Sequence, residues 1–253
     1  MDLGLRGLRA LVTGGTKGIG RRIAETFAEE GADVSVCARD AEEVTATTKA
    51  LAAKGVRATG RALDVADGPA LASWVADSAE ELGGLDIVVA NVSALAIPIS
   101  EENWRLSYEV DLMHTVRLVE AAMPHLERSA AGSIVAVSSV SGREIDFTAG
   151  PYGTFKAALI HYIQGLAFQL AAKGIRANTV SPGNVYFDGG VWHTIEQHNP
   201  DLYREALGLN PTGRMANPEE IARAAVFVAS PTVPFMSGTN LVVDGALTRG
   251  VQF

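Results

Sequence analysis

A single cysteine, Cys37, stands among the 253 residues. It excludes an internal disulfide and any multi-cysteine zinc site, and it fits a reducing compartment, the cytoplasm. Positive charge is also short: Lys plus Arg is 21 against 29 Asp plus Glu, a formal net charge of -8. No basic stripe is visible, so nucleic acid is not an expected partner. No apolar run reaches the ~18 residues of a membrane span, so no membrane partner is expected either. The opening stretch, MDLGLRGLRALVTGG, lacks the apolar run and small-residue cleavage site of a signal peptide. Aromatics make up only 6 % while Gly numbers 26, which implies many tight turns and close backbone approaches. What is present is apolar residue, 47 %, enough for a sizeable core and incompatible with disorder as the main state. No linker, repeat or low-complexity tract divides the chain, so residues 1–253 read as one domain.

Short β-rich runs alternate with longer helical ones. Strands are expected at 8–13, 33–38, 56–63, 85–90, 133–138, 175–180 and 241–243, with Gly60 weakening the third. Helices are expected at 18–30, 42–54, 69–82, 101–126, 151–173 and 218–230, several of them stopped by glycine. Residues 190–209 have poor apolar order. This alternation predicts an α/β fold: a single Rossmann-type, doubly wound domain with a seven-stranded parallel sheet flanked by helices on both faces. Ligands in such sheets bind outside the carboxyl ends of the strands.

The first of those ends carries Thr13-Gly14-Gly15-Thr16-Lys17-Gly18-Ile19-Gly20, between a strand and a helix. Glycines there let the backbone approach a pyrophosphate, whose charge a helix N-terminus favours. The bland alternative is a plain tight turn. Farther along, Tyr152 and Lys156 are spaced i, i+4 and share a helical face. A free phenol ionises near ~10 and is a poor acid–base group at neutral pH, and a neighbouring ammonium makes it more acidic. Ser139 closes a strand upstream, where its hydroxyl can reach a substrate oxygen. Ser138 is its rival and would point the other way. An amphipathic helix with an exposed lysine is the alternative for this motif.

These features together resemble the short-chain dehydrogenase/reductase family over about residues 8–245, with its TGxxxGIG loop and its Ser…YxxxK set. The resemblance implies catalysis by Ser139 as substrate-oxygen anchor, Tyr152 as proton donor or acceptor, and Lys156 as modulator and ribose ligand. It implies a nicotinamide cofactor held by Gly14, Thr16, Lys17, Gly18, Ile19, Gly20, Arg39, Asp64, Val65, Asn91, Tyr152, Lys156, Pro182, Gly183 and Val185. Asp64 would accept from the adenine amino group, and the Val185 backbone would hold the carboxamide. The chain departs from the family in three places. Asp111 stands where the family often has asparagine; it either offsets the field of Lys156 on Tyr152 or only braces a kinked helix. No Thr follows Pro182-Gly183 within Asn184-Val185-Tyr186-Phe187-Asp188. The element after the fourth strand, Asn91-Val92-Ser93-Ala94, has lost its glycine.

Cofactor choice is read from charge. The second strand ends in Ala38 followed by Arg39, and Lys17 lies in the glycine loop. Two cations and no carboxylate at the first position favour NADP over NAD, although Asp40 follows and is placed to pair with Arg39. NAD is the alternative. A substrate lid is expected at about 184–210, with Tyr186, Phe187, Trp192 and His193 as candidate lining. Ser141, Arg143, Ile145 and Phe147 are a candidate second wall. His193 and His198 are poorly spaced for a shared metal, and no metal is expected. The apolar residues on more than one face of the helices near 101–126 and 151–173, with the family resemblance, imply a homodimer or homotetramer. The leading reading is a cytoplasmic NADP-dependent oxidoreductase interconverting a small-molecule alcohol and a ketone. Alternatives are a 3-oxoacyl-thioester reductase and a non-catalytic sensor of NADP(H).

Overall fold

A computed structural model describes residues 2–145 and 149–251. Phe147, a candidate wall residue, lies outside the described residues. Apolar side chains alternate along the strands, and each parity packs under a different helical layer. In β1 (Arg9–Thr13), Leu11 faces one core, while Ala10 and Val12 face the other. In β4 (Ile87–Ala90), Val88 and Ala90 join the first core, and Ile87 and Val89 the second.

The first core is covered by α3 (Gly68–Leu82), α5 (His114–Leu126) and α6 (Pro151–Leu170). The second is covered by α1 (Gly18–Glu29), α2 (Ala41–Ala52) and α9 (Pro218–Ala229). With β2 (Asp33–Ala38), β3 (Ala58–Ala62), β5 (Ser133–Val137), β6 (Arg176–Pro182) and β7 (Asn240–Val243), the sheet has the order β3-β2-β1-β4-β5-β6-β7. All its pairings are parallel. This is the expected doubly wound, seven-stranded Rossmann-type sheet. The chain reverses direction across the sheet between β1 and β4, which opens a crevice at their carboxyl ends.

Local chemistry explains the helix boundaries. Asp40 caps α2 by accepting from Glu42 N and Glu43 N; it is therefore spent on the helix rather than paired with Arg39. Asp67 caps α3, which Gly83 closes in the left-handed conformation at φ 76°. Asn217 and Glu220 form a capping box on α9.

Two stretches differ from expectation. The helix expected over 101–126 is α4 (Glu101–Ser107), a π-helical turn Tyr108–Met113, and then α5. The wider turn re-phases the helix and carries Asp111 into the interior, where it is 1 % exposed. Residues 190–209 form two helices, α7 (Val191–His198) and α8 (Pro200–Leu209). Asn199 ends the first and caps the second, so no single 3.6-residue period spans the stretch. Trp192, Ala206 and Met215 form a small separate core beneath them.

Candidate active site

The glycine loop is pinned to the second strand, because Gly14 N and Gly15 N both donate to Cys37 O, at 2.8 and 3.2 Å. A Cβ on Gly20 would sit 2.3 Å from Gly14 O, so only glycine lets α1 start this close to the loop. The N-cap of α1 is Lys17, which makes no capping side-chain bond, and no acid lies in the first turn. Contrast α2, α3, α4, α8 and α9, where Asp40, Asp67, Ser100, Asn199 and Asn217 accept from the first turn. The first-turn N–H groups of α1 carry no side-chain cap, a start of the kind that suits an anion.

The other expected cofactor residues stand at the carboxyl ends of the other parallel strands. Arg39 is exposed at the end of β2. Asp64 is exposed beside buried Val65, and one of its oxygens accepts from Ala66 N at 2.9 Å. Asn91 donates to Thr13 O at 3.0 Å and so ties the end of β4 to the loop. Pro182 ends β6, Gly183 N donates to Val243 O, and Val185 bridges to Ala216, which orients the backbone of 183–186.

The second cluster sits where β5 meets α6. Ser139 Oγ accepts from Ser141 N and donates to Ser141 Oγ, both at 3.1 Å, at the head of a 3-10 turn Val140–Gly142. A Cβ on Gly142 would lie 2.7 Å from the Lys156 carbonyl carbon; its absence lets the turn press against α6. Ser138 turns the other way, and its hydroxyl donates to Lys156 O at 2.9 Å. Lys156 is buried, donates to Val137 O at 3.0 Å, and holds its Nζ 5.8 Å from the centre of the half-buried Tyr152 ring. Asp111 Oδ1 lies 3.5 Å from that Nζ and has no hydrogen-bond partner, while Oδ2 accepts a long 3.4 Å bond from Ala94 N. Asp111 thus places one carboxylate oxygen toward the ammonium.

Two clusters of this kind on one sheet end invite comparison with known proteins. A family model described as "Enoyl-(Acyl carrier protein) reductase" matches residues 14–248. The chain belongs to the short-chain dehydrogenase/reductase family. It is 42% identical over 261 residues to isoepoxydon dehydrogenase patN of Penicillium expansum, covering 100% of this chain and 99% of that protein. It is 31% identical to the 3-oxoacyl-[acyl-carrier-protein] reductase FabG of Chlamydia pneumoniae, covering 98% of this chain and 100% of the relative. Its fold superposes with TM-score 0.92 on L-sorbose reductase from Gluconobacter frateurii, a structure complexed with NADPH and L-sorbose. That match is 28% identical and covers 99% of this chain and 100% of the other. As a short-chain dehydrogenase/reductase, the chain is an oxidoreductase working between alcohol and ketone.

In this short-chain dehydrogenase/reductase a buried polar chain runs from the glycine-loop side to the π turn that carries Asp111, and no local sequence pattern marks it. His114 Nδ1 lies 3.0 Å from Val110 O, which can only accept, so Nδ1 carries the proton. Nε2 then accepts from Thr13 Oγ1 at 3.0 Å, and Thr13 Oγ1 accepts from Asn91 N at 3.0 Å. Burial drives the His114 imidazolium down to a pKa of about 4, so the ring is neutral. Glu43 was also missed. It holds Lys17 at 2.5 Å and accepts from Thr16 Oγ1 at 3.1 Å, and nothing in the spacing of these residues announces it.

The residues expected to line a lid, and those of the expected second wall, divide. Phe187 lies over the glycine loop, where a Cβ on Gly18 would meet its ring at 2.6 Å. Tyr186 donates to Glu196 at 2.5 Å, and that bond pushes the phenol up to about 12. Trp192 is buried in the small core rather than facing open space. His193 Nδ1 accepts from Gly189 N at 2.7 Å. Ile145 is 84% exposed. Arg143 is partly buried, and its Nη1 has no hydrogen-bond partner. Among the described residues no group of three or more His, Cys, Asp or Glu could hold a metal, and no helix is long and apolar enough to cross a membrane.

Proposed function

We propose that the chain interconverts a small-molecule alcohol and a ketone with NADP(H), using Tyr152, Ser139 and Lys156. The observation that carries this reading is the ammonium of Lys156, fixed by Val137 O and held 5.8 Å from the Tyr152 ring. When bound, the nicotinamide supplies or takes the hydride. Ser139 holds the substrate oxygen with its hydroxyl, and its turn is anchored through Gly142 to α6. Tyr152 gives its proton to that oxygen in reduction and takes it back in oxidation. Lys156 favours the phenolate by its charge and cannot swing away, because Val137 O and Asp111 hold it. Asp111 tempers that charge. Positioning both reactants beside these groups replaces a chance encounter with a fixed geometry.

NADP rather than NAD is supported by Arg39, exposed and without an ion pair among the described residues, together with Lys17. The uncapped start of α1 supports the pyrophosphate end. Assembly as a homodimer or homotetramer is supported by α6, whose outer face leaves Phe168 87% exposed. Sedimentation would measure it. Cytoplasmic residence suits Cys37, whose thiol burial pushes up to about 12, so it stays protonated and unreactive.

A carbonyl-substrate screen read by NADPH absorbance tests the activity. Tyr152→Phe should lower turnover by roughly 10²- to 10⁴-fold while NADPH binding stays within about twofold. Tight NADPH binding with no turnover on any substrate would instead support the sensor. Preferential turnover of an acetoacetyl thioester would support the thioester reductase.

A further inference from the structure

The Lys17 ammonium, one of the two cations available to a 2′-phosphate, is already engaged. Glu43, in the first turn of α2, places Oε1 2.5 Å from Lys17 Nζ and accepts from Thr16 Oγ1 through Oε2 at 3.1 Å. Both oxygens of one carboxylate therefore grip two consecutive residues of the glycine loop. The grip is rigid on the α2 side, because Asp40 fixes the Glu42 and Glu43 backbone N–H groups. It is open on the solvent side: the Lys17 side chain is 72% exposed and that of Glu43 31%. Arg39 stands nearby in the chain with no ion pair of its own among the described residues.

We propose that Glu43 is a specificity-determining residue that competes with the 2′-phosphate of NADP(H) for Lys17 and so weakens the preference of this enzyme for NADP over NAD. The inference rests on the cofactor reading above. A 2′-phosphate carries close to two negative charges at neutral pH. To reach Lys17 it must approach or displace a carboxylate that Thr16 also holds in place. The bare 2′-hydroxyl of NAD(H) is uncharged and meets no such repulsion. Arg39 remains the unopposed cation, so the preference survives in reduced form. Glutamine at position 43 keeps the shape and an oxygen for Thr16 but removes the charge.

The test is direct cofactor binding, read by quenching of tryptophan fluorescence with NADPH and NADH and needing no turnover. Glu43→Gln should tighten NADPH by roughly three- to tenfold and leave NADH within about twofold. In a Lys17→Met background the same change should gain less than about twofold, because the contested cation is gone. If the unmutated enzyme binds NADH as tightly as NADPH, the cofactor reading fails, and the change in the ratio still judges Glu43. If the unmutated enzyme prefers NADPH but Glu43→Gln leaves the ratio unmoved or lowers it, Glu43 has no such role. A gain for NADPH of equal size with and without Lys17 would also overturn the competition.

Discussion

Two lysine–carboxylate pairs flank the crevice, one in water and one out of it. Lys17–Glu43 spans 2.5 Å with side chains 72% and 31% exposed. Lys156–Asp111 spans 3.5 Å with side chains 3% and 0% exposed. The shorter pair is the weaker structural element. Water screens Lys17 and Glu43, and an exposed pair of this kind contributes about 0–1 kcal/mol. Such a pair can be traded for a ligand at little cost to the fold. Lys156 and Asp111 are stripped of water, so each depends on the other to offset desolvation. Their separation is set by the Val137 carbonyl and the π turn, not by mutual attraction alone. Distance ranks these two pairs one way and consequence ranks them the other.

Removing one member of each pair exposes the contrast. Lys156→Met leaves the buried Asp111 without its cation, keeping only the long bond from Ala94 N, and should destabilise the protein by about 3–5 kcal/mol, with turnover lost as well. Chemical denaturation measures the first effect; a loss below about 1 kcal/mol would overturn the dependence of each member of this pair on the other.

The buried side also predicts a pH effect through His114. Its folded pKa of about 4 lies below the unfolded value of 6.5, so the unfolded chain takes up the proton first. Stability is therefore whole above about pH 6.5 and falls as pH drops toward 4, by about 1 kcal/mol per pH unit from this group. His114→Gln should flatten that part of the melting-temperature profile. Equal slopes in both proteins would remove His114 from the account.

A smaller effect is expected at Asp111. Asp111→Asn removes the carboxylate charge beside Lys156, so the acid limb of the pH–rate profile for alcohol oxidation should move to lower pH. An unchanged limb would leave Asp111 as a brace. The smallest effect belongs to the exposed pair. Lys17→Met should change stability by less than about 1 kcal/mol while weakening NADPH; a larger loss would show that the loop needs this pair to fold.

Much of the scaffold was open to inspection of the residues alone. The apolar run of the first strand, the glycine stops at Gly83 and Gly174, and the Pro218 helix start are local signals. The Tyr152 and Lys156 spacing is local too, because one helix carries both. The stretch around Asn199 was not legible, since its two helices of 8 and 10 residues share no common period. Asp40 was misjudged for a different reason: its free N–H neighbours belong to the helix it starts, and they outcompete Arg39.

Hydrophobic period, caps and glycines act over one or two turns, so the order of residues along the chain was enough to specify strands, helices and the loop between β1 and α1. Partnership between distant charges is a matter of which strand ends lie side by side. Only the packed parallel sheet, with α2 laid against the glycine loop and the π turn against α6, gave Lys17 to Glu43 and Lys156 to Asp111. Only burial, which is created by that packing, took water away from the second pair and left the first in contact with it.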